Sequence, residues 1–187
     1  VTRAELEAAV QELWPEMDWI GDADLRRRTL ATWCAAFERS PLRPADLREI
    51  PFTLLVPGCT ISFIAHKRSV VHVAVESAKA IRAFLGDQLP IDMDVLTAGS
   101  ILIDVGKLLE YERVDGRLRQ SVRGQLVRHP FSGAGLCQEF GLPDAVVHMV
   151  ATHAKEGGLG KRTVEAWIVH HADFMTFDAL KERLVAG

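Results

Sequence analysis

The sequence carries no surplus of positive charge. Its net charge is −3 at pH 7, so no excess of Lys and Arg is available to neutralise a row of phosphates, and a nucleic-acid partner is not expected. The run Arg26-Arg27-Arg28 is local, is diluted by neighbouring acids, and reads as a solvated helix face. Long apolar runs are also missing. Stretches such as Ile101-Leu102-Ile103 fall far short of a bilayer span, and no signal-peptide pattern opens the chain. The three cysteines, Cys34, Cys59 and Cys137, lie far apart and form no Cys-x-x-Cys pair. That spacing argues against both a disulfide framework and a zinc–thiolate site. A soluble, cytoplasmic chain without a membrane partner is the expectation, and its oligomeric state is not legible.

Strand-like alternation is almost absent, and so are internal repeats and low-complexity linkers. What is present is an apolar share of 48% in 187 residues, ample for a packed core. Thr2-Arg3-Ala4-Glu5 reads as a capping box opening a helix that ends near Trp14-Pro15. Asp22 or Asp24 caps a second helix that stops before Pro41, and Pro44-Ala45-Asp46 looks like a short helix start. Pro51 to Gly58 reads as an extended loop. The strongest helix runs from about Ile61 to Leu85, with Phe63, His66, Val70, Val73, Ser77 and Ile81 in a three-four rhythm. A further helix is predicted over about Met93 to Leu109, then a turn at Gly116 and a short helix near Gln120. After a break at His129-Pro130 come helices near Gly133–Phe140, Asp144–His153 and Thr163–Leu184. The fold class predicted is all-α.

Seven histidines are dense enough in such a chain to prompt a search for ligand geometry. Asp104 lies on an apolar helix, and Asp173 sits between Val169 and Phe177; each is costly if buried and unpaired. Buried carboxylates with histidines at hand are most simply explained by a cation, and imidazole with carboxylate suits Fe, Mn, Zn or Mg. At Leu102-Ile103-Asp104-Val105-Gly106-Lys107 the chain resembles the HD superfamily of metal-dependent phosphohydrolases, whose common string is Leu-His-Asp-Ile-Gly-Lys. His66 followed by Val70, Val71, Ala74 and Ala78 resembles the helix carrying that family's first histidine. His129-Pro130, Thr152-His153 and Ala172-Asp173 resemble its later ligand positions. The resemblance covers about residues 60 to 178. It implies an HD-type helical bundle over 59–187, with 1–58 as an N-terminal helical extension packed on it.

Carried over by position, the resemblance implies two ligand sets. His66, Asp104 and Asp173 form the first, with Ile103 standing where an imidazole is expected. Asp104, His129 and His153 form the second, which is complete. The implied cofactor is a divalent metal ion, one rather than two, although His170, three residues before Asp173, can be imagined repairing the first set. The implied activity is a metal-dependent hydrolase using a metal-bound water on a phosphorylated or otherwise anionic small molecule. In that reading Asp104 and Lys107 are catalytic, and Lys107 and Arg162 hold substrate. Plainer roles stay open: Lys107 as a surface lysine, Arg162 as the partner of Glu165. Lys67 and Arg68 are candidates for the mouth of the site, and the loop Glu156 to Gly160 for a lid. His72, His148 and His171 fall off the ligand faces, and the four tryptophans read as packing anchors. An iron-dependent oxygenase on the same fold, or a degenerate non-catalytic binding module, are the alternative functions.

Overall fold

The computed structural model describes residues 2–185. Thr2 caps α1 (Arg3–Leu13) through the expected reciprocal box with Glu5. A 3₁₀ turn, Pro15–Trp19, leads to α2 (Ala23–Glu38), whose cap is Asp22, accepting from the N–H groups of Asp24 and Leu25. A second 3₁₀ turn, Pro44–Arg48, precedes an extended loop pinned by a bridge between Pro51 and Ser62. Ser62 then caps α3 (Phe63–Leu85), which ends where Gly86 takes a φ of 52°. The first and last residues of the two segments expected from the sequence, 1 and 186–187, lie outside the described residues.

The centre of the bundle is α4 (Met93–Leu102), in which every residue from Leu96 to Leu102 is buried. It packs against α2, α3, α8 and α9, so this stretch leaves no face for solvent. The two polar residues of the stretch, Thr97 and Ser100, return their hydroxyls to the carbonyls of Met93 and Leu96. The buried apolar side chains, from Val10 to Ala172, form one cluster that joins the N-terminal helices to the rest. Trp14 and Trp33 are fully buried at its N-terminal end, with ring centroids 5.1 Å apart. Trp19 and Trp167 are nearly half exposed and anchor nothing of that kind.

Three expectations need correction. The predicted helix over Met93 to Leu109 is broken at 103–106. There the bonds tighten to Val105 N–H on the Leu102 carbonyl and Lys107 N–H on the Asp104 carbonyl, and a separate turn, α5 (Lys107–Glu110), follows. Gly106 makes the break compact, because a Cβ there would lie 2.2 Å from the His129 carbonyl oxygen. Next, the chain is mostly rather than wholly helical. β1 (Tyr111–Val114) and β2 (Arg117–Gln120) form an antiparallel hairpin with Val114 opposite Arg117. Both turn residues, Asp115 and Gly116, have positive φ (49° and 74°), as a two-residue hairpin of this twist requires.

The short helix α6 (Val122–Leu126) begins after that hairpin. Finally, Pro130 does not break a helix. It occupies the first turn of α7 (His129–Glu139), where a missing N–H costs no hydrogen bond. α8 (Asp144–Thr152), a compact 3₁₀ turn at Lys155–Leu159 and α9 (Val164–Val185) complete the chain. Among the described residues, no helix is long and apolar enough to cross a membrane.

Candidate metal centre

The break after α4 sets the position of Asp104. Its carboxylate is 1% exposed and lies where α4, α7 and the end of α8 converge. His129, the first residue of α7, brings Nε2 to 3.2 Å from Asp104 Oδ1, and His153, just past α8, brings Nε2 to 3.4 Å from the same oxygen. One ligand atom from each of the three residues falls within 4.8 Å of the others, so this buried group can hold a metal ion. Asp104 Oδ1 and His153 Nε2 are buried without a hydrogen-bond partner. Buried polar atoms are normally satisfied, and these two point at one another's neighbourhood.

Both imidazoles are oriented from behind. His153 Nδ1 donates to the Val150 carbonyl at 2.7 Å, which leaves its Nε2 lone pair facing Asp104. His129 Nδ1 lies 2.9 Å from Glu110 Oε2, and the same oxygen accepts the His129 backbone N–H at 2.7 Å. A carboxylate behind a ligating imidazole fixes its tautomer and raises its basicity. Glu110 is itself held by Gln120, whose amide donates to Oε1 at 2.7 Å, so the hairpin supports the site from outside. Burial pushes the Glu110 carboxyl up, but the adjoining His129 and the Arg128 charge outweigh it and bring it down to about 2. For His129, burial lowers the pKa, and the two flanking carboxylates more than reverse this, so a proton and a cation compete for Nε2. The donor set, two imidazoles and one carboxylate with orphaned atoms converging, suits a metal ion.

Of the other expected set, His66 and Asp173 are in direct contact, and Asp173 meets Asp104 only through the Lys67 ammonium between them. His66 Nε2 donates to Asp173 Oδ1 at 3.0 Å, and His66 Nδ1 lies 3.1 Å from the Thr176 hydroxyl. Burial, aided by the Lys67 charge and opposed by the Asp173 hydrogen bond, lowers the pKa of His66. Lys67 does not face the mouth of the site. It is wholly buried, with Nζ 3.1 Å from Asp104 Oδ2 and 3.2 Å from Asp173 Oδ1. Lys107 adds a second ammonium, 2.9 Å from Asp104 Oδ2 and 2.9 Å from the Phe52 carbonyl. Burial opposes ionisation of both acids, yet Lys107 and Lys67 hold Asp104, and Lys67 with the His66 hydrogen bond holds Asp173, well below the ordinary carboxylate range. Ile103 lies in the apolar cluster.

The remaining candidates separate clearly. Lys107 lines a cavity of about 290 Å³ that opens beside Asp104, His129 and His153. Arg162 does not line it. Its guanidinium donates to the carbonyls of Thr152 and Ala154 and lies over the Trp167 ring, so it fastens the chain after α8, and it makes no ion pair with Glu165. His170 gives Nδ1 to the His153 carbonyl at 2.6 Å and, among the described residues, forms no ion pair with Asp104 or Asp173. Arg68 and His72 both pair with the buried Glu16, away from the site. The segment Lys155–Leu159 packs closely, since a Cβ on Gly157 would fall 2.3 Å from Thr152 Cα. Sequence reasoning missed Glu110, Phe52 (stacked on His66 at 3.8 Å) and the inward course of Lys67. For Glu110 the signal was available: an acid in the apolar run after Asp104.

Comparison of the chain with protein-family models, with curated proteins and with solved structures finds no match in any of the three.

Proposed function

We propose that this chain is a metal-dependent hydrolase of a small phosphorylated or otherwise anionic molecule, as its resemblance to the HD superfamily implies. One observation carries the reading: Asp104 Oδ1 and His153 Nε2 are buried, unpartnered and adjacent to a cavity that His129 also lines. Asp104, His129 and His153 would hold a divalent cation, which would supply Lewis acidity at the cavity.

The chain's own groups supply the rest. Lys107, at the cavity wall, places a fixed positive charge beside the reacting end of an anion, while its second bond to the Phe52 carbonyl keeps the ammonium in position. Farther out, Lys155 and Lys181 line the same cavity and favour entry of a negatively charged molecule, while Arg128 there is paired with Glu110 and Glu156. Phe52, Phe174 and Phe177 give it an apolar wall, so a substrate with an anionic end and an apolar or ring-shaped body is complementary. Tyr111 also faces in; burial, with the Asp104 and Glu110 charges, pushes its phenol well up, so it serves as a neutral hydrogen-bond donor.

The test is phosphate release from a nucleotide and phosphomonoester panel, using protein stripped of metal and reloaded separately with Mn, Zn, Mg or Fe. Turnover that disappears in Asp104→Ala supports the proposal. No turnover with any metal across the panel overturns it. A second reading, a mononuclear iron oxygenase, is favoured by the two-histidine, one-carboxylate donor set. Anaerobic purification followed by metal analysis separates the two, since zinc or manganese without iron removes the oxygenase.

A further inference from the structure

Asp104 is shared by two clusters of similar chemistry. On its Oδ1 side, that oxygen and His153 Nε2 are buried and unpartnered, with His129 Nε2 3.2 Å from the same oxygen. On its Oδ2 side lies a second carboxylate, Asp173, reached across the Lys67 ammonium and itself bonded to the His66 imidazole. A positive charge already sits among them: Lys67 Nζ, 3.1 Å from Asp104 Oδ2 and 3.2 Å from Asp173 Oδ1. Lys67 follows His66 directly on α3, and its relative exposure is 0%.

We propose that Lys67 is a built-in cation that closes a second metal position formed by His66, Asp104 and Asp173. Two buried carboxylates need compensating charge wherever they meet. A lysine carried on the same helix as His66 delivers that charge at no cost in binding a free ion. Its presence also repels any divalent ion at the same three donors, because two like charges a few ångström apart in a buried site interact strongly. The ammonium therefore limits the chain to one divalent ion. It is also a positioning residue: together with Lys107 it holds Asp104 by Oδ2, which leaves Oδ1 turned toward His129 and His153. Ile103 is consistent with this arrangement, since a position filled by lysine needs no further imidazole ligand, and Ile103 instead joins the apolar cluster.

Removing the ammonium exposes the latent site. Lys67→Ala leaves two carboxylates and an imidazole around the space the ammonium held, with Lys107 still bound to Asp104 Oδ2 at its edge. The experiment is manganese(II) stoichiometry on the full chain, by elemental analysis after dialysis and by calorimetric titration, for wild type, Lys67→Ala and Lys67→Ala/Asp173→Asn. The expected result is one additional ion in Lys67→Ala and loss of that ion in the double variant. The electron spin resonance signal of Lys67→Ala should show a coupled pair, because both ions share Asp104. No additional ion in folded Lys67→Ala overturns the proposal, and so does an additional ion that persists in the double variant.

Only the occupancy of the first position rests on the function proposed above, so the two ideas fail separately. Zero ions in wild type and one in Lys67→Ala sinks the Asp104–His129–His153 reading and sustains this one; one ion in each does the reverse. Should Lys67→Ala unfold without metal, its melting is followed during manganese(II) titration. Refolding driven by metal, absent in the double variant, supports the proposal, and a melting temperature indifferent to metal overturns it.

Discussion

Glu110 grips His129 twice through a single oxygen: Oε2 accepts both the backbone N–H at 2.7 Å and the ring Nδ1 at 2.9 Å. The first bond anchors the start of α7 and the second sets the direction of the imidazole, so backbone and ligand geometry are fixed together. Replacing Glu110 with Ala should weaken divalent-metal affinity by roughly 10- to 100-fold, the usual cost of losing such a support. Calorimetric titration of the metal-free protein measures it; unchanged affinity would remove Glu110 from the site.

Asp104→Asn keeps the shape and removes the charge on which Lys67, Lys107 and two imidazoles converge. Two ammonium groups are then left with Asp173 alone as a nearby acid. Denaturant unfolding should show a loss of about 3–5 kcal/mol, the penalty for uncompensated buried charge. Metal binding should vanish as well. A variant as stable as wild type would mean that these charges are not buried as described.

Gly106 and Gly135 make a matched pair. A Cβ on Gly106 would meet the His129 carbonyl oxygen at 2.2 Å and the Gly133 nitrogen at 2.8 Å, whereas one on Gly135 has nothing within 4 Å. Gly106→Ala should destabilise by about 1–3 kcal/mol through overpacking and should weaken metal binding by shifting His129. Gly135→Ala, within α7, should instead stabilise by up to about 1 kcal/mol. Thermal melts of both variants check the contrast.

The buried thiols predict a pH response. Burial pushes Cys34 up to about 11 and Cys137 up to about 12, from an ordinary value of 9.0. A neutral form favoured by the folded state contributes stability that is complete below about 9 in the unfolded chain's terms and is lost as pH rises toward those folded values. Unfolding midpoints should therefore fall between pH 9 and 12. At pH 8 a thiol reagent should label Cys59, which is only partly buried, and reach Cys34 and Cys137 only after denaturation. Equal labelling of all three in the folded protein would contradict the packing.

Arg162→Ala tests the reassignment of that residue. Its guanidinium, which does not line the cavity, serves the backbone carbonyls of Thr152 and Ala154. Stability should drop by about 1–3 kcal/mol, for hydrogen bonds from a charged donor, with little change in substrate KM. A large rise in KM at constant stability would restore a substrate role.

Much of the helical order was readable because it rests on local chemistry. Thr2 with Glu5, Ser62, Gly86 and the apolar rhythm of α3 mark ends and faces within a few residues of chain. The hairpin was readable in principle, since Asp115-Gly116 is a strong turn pair, but its strands are only four residues long and mostly polar, and periodicity says little at that length. The break after Leu102 left no such mark. It depends on Gly106 meeting α7, a contact between residues far apart in the chain.

The candidate site divides in the same way. Apolar surroundings singled out Asp104 and Asp173, and the resemblance of the flanking motifs to the HD superfamily added His66, His129 and His153 as the residues to watch. By itself the sequence determined the helical character, the caps and this set of polar residues within apolar surroundings, because propensity, capping and hydrophobic period act over short distances. Ile103 signalled that one ligand set differs from the other. What fills that set was decided only by tertiary structure: whether the side chain after His66 points outward or inward depends on where α3, α4 and α9 meet. In the fold it points inward, and Lys67 supplies between Asp104 and Asp173 the positive charge that two buried carboxylates require.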